Sequence, residues 1–183
     1  MNGMIRRVVA VAVVTGVLRL GTVLGVASAG VELWSTPLTA SAPIQSSPAL
    51  GPDGTIYIGA VTSAGGAVYA LNPSTGAIKW TTSTLGGVVS SPVVSPDGST
   101  IYVCTTQGWV SAIRASDGRD RADYQLASAA ASRSTPALDL AGDTLYLNAE
   151  DGYLYALSVS SSSVALSWSA NIHTGNSAMG LCT

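Results

Sequence analysis

A repeat of 44 residues constrains this chain more than any other feature of its 183-residue sequence. Ser46-Ser47-Pro48, Ser90-Ser91-Pro92 and Ser134-Thr135-Pro136 recur 44 apart, as do Gly54, Gly98 and Gly142. Tyr57, Tyr102 and Tyr146 follow at intervals of 45 and 44. Gly66, Gly108 and Gly152 come next, then Ala70-Leu71, Ala112-Ile113 and Ala156-Leu157. Trp80, Tyr124 and Trp168 close the units, again 44 apart, and Trp34 begins the series 46 residues earlier. Columns that hold register over three copies mark an architecture in which each unit buries its apolar faces only against its neighbours.

Each unit parses as four short strands. In the first, Ser47–Leu50 is strand one, and Gly51-Pro52-Asp53-Gly54 is a tight turn in which Pro presets φ and Gly permits a positive φ. Thr55–Ala60 alternates β-branched and aromatic residues and reads as strand two. A Gly-rich turn over Ser63–Gly66 leads to strand three, Ala67–Asn72; the Pro73-Ser74-Thr75-Gly76 turn leads to strand four, Ala77–Thr82. The later units use the turns Pro96-Asp97-Gly98, Gln107-Gly108, Ser116-Asp117-Gly118, Ala141-Gly142-Asp143 and Glu150-Asp151-Gly152. No helical apolar period follows residue 30, and three Pro residues sit at strand-one edges. Four strands in about 40–45 residues is the length of one propeller blade. The expectation is an all-β partial β-propeller: about three four-stranded antiparallel blades, over residues 44–82, 88–126 and 132–170, with a leading outer strand at Trp34.

The first 29 residues read as a signal peptide: Arg6 and Arg7, an apolar run over Val8–Leu18, and a small-x-small cleavage site at Ala27-Ser28-Ala29. The rest, residues 30–183, is then secreted, periplasmic or held in the cell envelope. The alternative is a membrane anchor over Val8–Val26, against which Arg19 stands, since an Arg at the centre of a span costs about 2.5–3.5 kcal/mol. Without Arg6, Arg7 and Arg19, five basic residues face ten acidic ones. That balance lacks the basic footprint a nucleic-acid binder needs. A 47% hydrophobic content excludes a disordered chain. Cys104 and Cys182 are too few for a disulfide framework or a tetrahedral zinc site, and are read as two thiols, with one long-range bridge as the alternative.

One stretch carries a family resemblance. Ala70-Leu71-Asn72-Pro73-Ser74-Thr75-Gly76-Ala77-Ile78-Lys79-Trp80 resembles the tryptophan-docking repeat of the PQQ-like, quinoprotein dehydrogenase-like propellers, with Asn72 at an acidic position. The resemblance covers about residues 31–170 and implies that Trp34, Gly76, Trp80, Tyr124 and Trp168 lock neighbouring blades. The second and third units keep the motif less well: Tyr124 replaces Trp, and Ser162 stands at the Gly position. The Pro-Asp-Gly turns also resemble those of lactonase-like propellers. The family includes scaffolds of envelope assembly and enzymes that use pyrroloquinoline quinone (PQQ) with calcium. The dehydrogenases resembled here often place adjacent cysteines beside the cofactor, and this chain has no Cys-Cys pair. A lactonase-like hydrolase would need Asp, Asn or His side chains pointing to the axis, where this chain carries Ser, Thr and Pro.

No catalytic constellation is legible. His173 is the sole histidine and has no assignable Ser/Asp partners. Asn148, Glu150 and Asp151 share one turn, but calcium takes six to eight oxygens, and three polar residues before Gly152 are ordinary turn chemistry. Gln107, Trp109, Arg133, Glu150 and Asp151 are the candidate ligand-facing loop residues, with inter-blade packing the plainer role for Trp109 and solvation for Arg133. The expected function is that of a non-catalytic binding or scaffold propeller exported from the cytoplasm, without cofactor or metal. The alternatives are part of a PQQ- and calcium-dependent dehydrogenase or of a lactonase-like hydrolase. Its partner is a protein or small molecule outside these blades. Closed propellers have about 4–8 blades. Three leave two apolar faces to be covered, so the sequence is expected to be a fragment, its faces met by further blades or by self-association.

Overall fold

The computed structural model describes residues 32–172. A short N-terminal unit ends at Leu33, and only Glu32 and Leu33 of it are described; the expected signal peptide, His173 and Cys182 lie outside the described residues. From Trp34 on, the described residues form twelve strands in three antiparallel sheets of four. The first sheet comprises β1 (Ala49–Leu50), β2 (Ile56–Thr62), β3 (Gly65–Leu71) and β4 (Ile78–Thr84). The second comprises β5 (Val93–Val94), β6 (Thr100–Cys104), β7 (Trp109–Arg114) and β8 (Asp120–Gln125). The third comprises β9 (Ala137–Leu138), β10 (Thr144–Asn148), β11 (Tyr153–Val159) and β12 (Val164–Asn171). Strands pair in chain order within each sheet, so the three sheets are three blades of a partial β-propeller.

Strand ends differ from the sequence parse for local reasons. The first strand of each blade shrinks to two residues, and in the first two blades the Ser hydroxyl before it replaces a ladder bond: Ser46 Oγ accepts from Gly59 N at 3.1 Å, and Ser90 Oγ accepts from Cys104 N at 3.3 Å. The hairpin between β2 and β3 tightens to Ser63-Ala64, so pairing runs out to Thr62 and Gly65. The outer strands run to Thr84 and Asn171, past the repeat bounds of 82 and 170. The Pro-Asp-Gly turns form as the sequence implies, with Gly54 at φ 80° and Asp53 Oδ1 accepting from Thr55 N at 3.0 Å.

The same bulge interrupts the pairing of the third and fourth strands in every blade, at Ala70/Leu71, Ala112/Ile113 and Ala156/Leu157. It leaves Lys79, Arg121 and Ser167 as the extra residues. A bulge re-aims the side chain it carries, and two of these reach a buried hydroxyl of their own blade. Lys79 Nζ donates to Thr55 Oγ1 at 2.6 Å, and Arg121 donates to Thr100 Oγ1 at 2.8 Å.

The core lies between sheets, because side chains alternate across each strand and each blade has two faces to bury. Tyr57, Val68 and Ala70 of the first blade pack against Ile101, Val103 and Ile113 of the second. Tyr102, Cys104 and Val110 of the second pack against Leu145, Leu147 and Leu157 of the third. The remaining face of the first blade, with Ala60, Ala67, Tyr69 and Leu71, is covered by Trp34, Leu38 and Ala40. Residues 34–40 run in the position of a leading outer strand, and no described strand pairs with them.

Candidate functional site

Two junctions show how one blade seats on the next. Trp80, opposite Ala70 near the bulge of β4, donates its indole Nε1–H to Ala115 O at 2.9 Å, and Thr82 Oγ1 donates to Gly118 O. Trp34 and Thr36 repeat this one blade earlier, donating to Pro73 O at 2.9 Å and Gly76 O at 2.6 Å. The receiving residues, Gly76 and Gly118, have φ 71° and 73°, and a Cβ on either would stand 2.4 Å and 2.6 Å from an indole carbon. Glycine is therefore required twice over, by backbone angle and by the flat ring against it. Tyr124 is half-buried against the core between the second and third blades, where Ser162 replaces the receiving Gly. There the first-to-second-blade contact Tyr57 OH to Ala115 O recurs as Tyr102 OH to Ser160 O, each at 3.5 Å.

Trp168 has no such seat among the described residues. It is 45% exposed, and its ring neighbour is Tyr146 of its own blade, ring centroids 6.2 Å apart. The equivalent tyrosines measure the difference: Tyr57 and Tyr102 are 2% and 1% exposed, Tyr146 36%. Beside it, Leu154 is half-buried where Val68 and Val110 are fully buried, and Asn148 is exposed where Gly59 and Cys104 are buried. Tyr146, Asn148, Leu154 and Trp168 thus form an uncharged face on the third blade.

The candidate ligand-facing residues lie on one edge of the array, where the loops are stitched together by backbone bonds such as Ser132 N to Thr105 O at 3.2 Å and Glu150 N to Ala131 O at 2.9 Å. The structure brings Arg133 and Glu150 into an ion pair at 2.6 Å, both well exposed, so the guanidinium is already matched by a carboxylate. Asp151 accepts from Ser128 Oγ, Tyr155 OH and Tyr153 N. Partial burial works to raise the Asp151 carboxyl, but these three hydrogen bonds hold it below the ordinary range. Asn148 Oδ1 accepts from Ser134 Oγ. Gln107 is exposed over Gly86. Trp109 is not a loop residue: it opens β7, pairs with Gln125 and is half-buried, because its N–H is drawn to Thr105 Oγ1 at 3.1 Å and the turn closes one residue earlier.

Asn148, Glu150 and Asp151 therefore face three different partners, and among the described residues no three His, Cys, Asp or Glu side chains stand together as metal ligands. This donor set does not fit a calcium-held quinone. Cys104 is fully buried, and burial pushes its thiol up to about 12, so it is no nucleophile at neutral pH.

The Ser/Thr-Pro column, legible in the sequence as a repeat at the strand-one edges, has a task that its spacing did not reveal. Ser47 N donates to Ser91 Oγ at 2.9 Å, and Ser91 N donates to Thr135 Oγ1 at 3.4 Å, so the hydroxyls bridge successive blades. The signal was present in a hydroxyl that recurs every 44 residues beside an apolar strand. Also missed were two clefts at the opposite edge. One, of ~240 Å³, lies among Asp97, Ser99, Thr100, Tyr102 and Ser160, and the other, of ~270 Å³, among Asp53, Tyr57, Lys79, Asp97 and Ala115. They arise where consecutive blades splay apart at their turns, which no single-strand pattern encodes.

A family model described as "Outer membrane protein assembly factor BamB" matches residues 19–181. The chain belongs to this family of PQQ-like repeats. Among solved structures it is similar to BamB from Moraxella catarrhalis, at 21% identity and a TM-score of 0.60. That likeness covers 76% of this chain and 39% of the other, so the chain spans about two fifths of the BamB structure it matches. It supports the same fold, a partial propeller. No curated protein matches the chain.

Proposed function

We propose that this BamB-like chain is a non-catalytic, protein-binding propeller segment, exported from the cytoplasm, that serves as a scaffold in envelope assembly. The observation that carries the reading is the state of the loop edge. Arg133, Glu150, Asp151 and Asn148 each answer a neighbouring side chain of the same chain, so none of these four is left unpaired at the loop edge. What the array does present is an uncharged aromatic face at Tyr146 and Trp168. Apolar exposure of this kind marks protein association. Membership in a family described as an outer membrane protein assembly factor supports an envelope setting and a protein partner. So does the exported reading of residues 1–29.

The test places a photo-crosslinking amino acid at Gln107, and separately at Glu150, of the full chain in cells. The expected result is a discrete crosslinked product whose mass-spectrometric identity is an envelope protein. In parallel, purified chain is assayed for dye reduction with PQQ and calcium. Dye reduction, or crosslinks only to cytoplasmic proteins, would overturn the proposal.

A further inference from the structure

The two clefts at the Pro-Asp-Gly turns are one feature built twice, each between two blades that this chain itself supplies. The first lies where the first blade meets the second, between the Asp53 turn and Ala115-Ser116. The second lies where the second blade meets the third, between the Asp97 turn and Ser160-Ser161. Each holds the equivalent tyrosine, Tyr57 or Tyr102, and Asp97 lines both. We propose that this pair of clefts binds a neutral saccharide chain, whose hydroxyls meet the tyrosine hydroxyls and Asp97. The site is on the opposite edge from the candidate loop residues and does not depend on the protein-binding reading above.

Three observations carry the inference. First, two buried hydroxyls lack a good partner. Tyr57 and Tyr102 are 2% and 1% exposed, yet their hydroxyls stand 3.5 Å from Ala115 O and Ser160 O. An O–H···O bond is ordinarily about 2.5–3.0 Å long. Ala115 O, moreover, already accepts the Trp80 indole N–H at 2.9 Å. Each phenol therefore has a proton to offer a ligand oxygen in its cleft, and a buried hydroxyl gains most from the bond it lacks.

Second, the lining selects the ligand. In the first cleft Lys79 pairs with Asp53 at 3.4 Å and donates to Thr55 Oγ1 at 2.6 Å. Beside the second, Arg121 donates to Thr100 Oγ1 at 2.8 Å. Asp97 has no ion-pair partner among the described residues; Ser95 Oγ and Ser99 N donate to its Oδ1. An anion would meet Asp97 in either cleft, and a cation would meet Lys79 or Arg121. The aromatic and apolar anchors of a polypeptide take desolvated pockets, whereas these walls are serines, threonines and carboxylates. A sugar hydroxyl both donates and accepts, so it gives to Asp97 and takes from Tyr57 or Tyr102.

Third, the clefts suit a chain of small rings. Their volumes of ~240 and ~270 Å³ fall just below the roughly 300–1,000 Å³ of a whole small-molecule site, so each admits one small unit. Packed sheets lie about 10 Å apart, so linked units reach both. The walls are also preformed. Pro52 packs on Gly98 and Pro96 on Gly142, where a Cβ would stand 2.4 Å and 2.7 Å from the proline ring. A ligand entering such a cleft has little protein to order.

The experiment titrates the full chain with chitotetraose and with maltotetraose by calorimetry, and sediments it with purified peptidoglycan sacculi. The expected result is saturable binding of a soluble sugar or retention on the sacculi. Retention that chitotetraose competes away assigns the wall glycan as the source; binding of the soluble sugars without retention assigns a free saccharide. Tyr57→Phe with Tyr102→Phe should weaken binding about 3- to 10-fold while leaving the unfolding midpoint in place, because the hydroxyls lost were poorly bonded. Ser116→Tyr and Ser161→Tyr, on exposed rims, should each obstruct one cleft and weaken binding further when combined. No binding of any of the three probes at millimolar sugar, binding indifferent to the phenylalanine pair or to the rim pair, or binding of tetralysine in place of the sugars would each overturn the inference.

Discussion

Replacing Trp80 with alanine removes the seat between the first two blades. Three losses can be counted. The indole N–H no longer donates to Ala115 O, which was 2.9 Å away, a bond of about 0.5–1.5 kcal/mol. The ring pair with Tyr57, centroids 5.8 Å apart, contributes about 0.5–1.5 kcal/mol beyond its buried area. The indole volume over Gly118 is emptied, and a fully buried Trp→Ala costs about 3–5 kcal/mol in all. Trp80 is only half-buried, so the expected total is about 3 kcal/mol, at the low end of that range. Trp168→Ala removes the same side chain from the same repeat position with no seat beneath it, and should cost less than about 1 kcal/mol in the monomer, as surface substitutions do. The assay is denaturant unfolding of both variants at low protein concentration, where any association is dissolved, comparing midpoints at unchanged slope. For a domain of this size about 3 kcal/mol also lowers Tm by roughly 6–12 °C. Equal losses at the two positions, or a loss below about 1 kcal/mol at Trp80, would refute the claim that seating on the neighbouring turn, and not the tryptophan itself, supplies the stability.

Two further outcomes are expected. Asp97 is held down to about 2 by the Ser95 hydroxyl and then by Ser99 N–H, against an ordinary 3.8, so its contribution is full above pH 3.8 and fades as pH falls through about 2. Asp97→Asn should be less stable at neutral pH and show a shallower decline of the unfolding midpoint between those two values; an unchanged slope would contradict the assignment. Cys104, buried with its thiol raised to about 12, should resist a maleimide at neutral pH in a Cys182→Ser background and react fully once the chain is unfolded; rapid labelling of the folded chain would show that the second blade opens locally.

The sequence by itself determined the repeat, the four strands of each blade, the Pro-Asp-Gly turns and the all-β class. These are local matters: strand alternation, proline's fixed φ and glycine's access to positive φ act within a few residues, and a period of 44 multiplies each weak signal by three. It also pointed to the tryptophans, through one well-kept motif at Ala70–Trp80. Only the tertiary structure decided which of them are seated. Trp34, Trp80 and Trp168 occupy the same column, yet Trp34 and Trp80 rest on the left-handed glycines Gly76 and Gly118 while Trp168 has no seat among the described residues, because seating depends on the neighbouring turn and not on the strand that carries the indole. The loop edge divides in the same way. The sequence could place Arg133, Glu150 and Asp151 in turns, but the pairing of Arg133 with Glu150 and of Ser128 with Asp151 is fixed by how the link ahead of the third blade lies against that blade's own turn. Side-chain partners 17 and 23 residues apart in a repeat fold are set by how one blade is laid against the next, and that geometry has no signature in the spacing of any one strand.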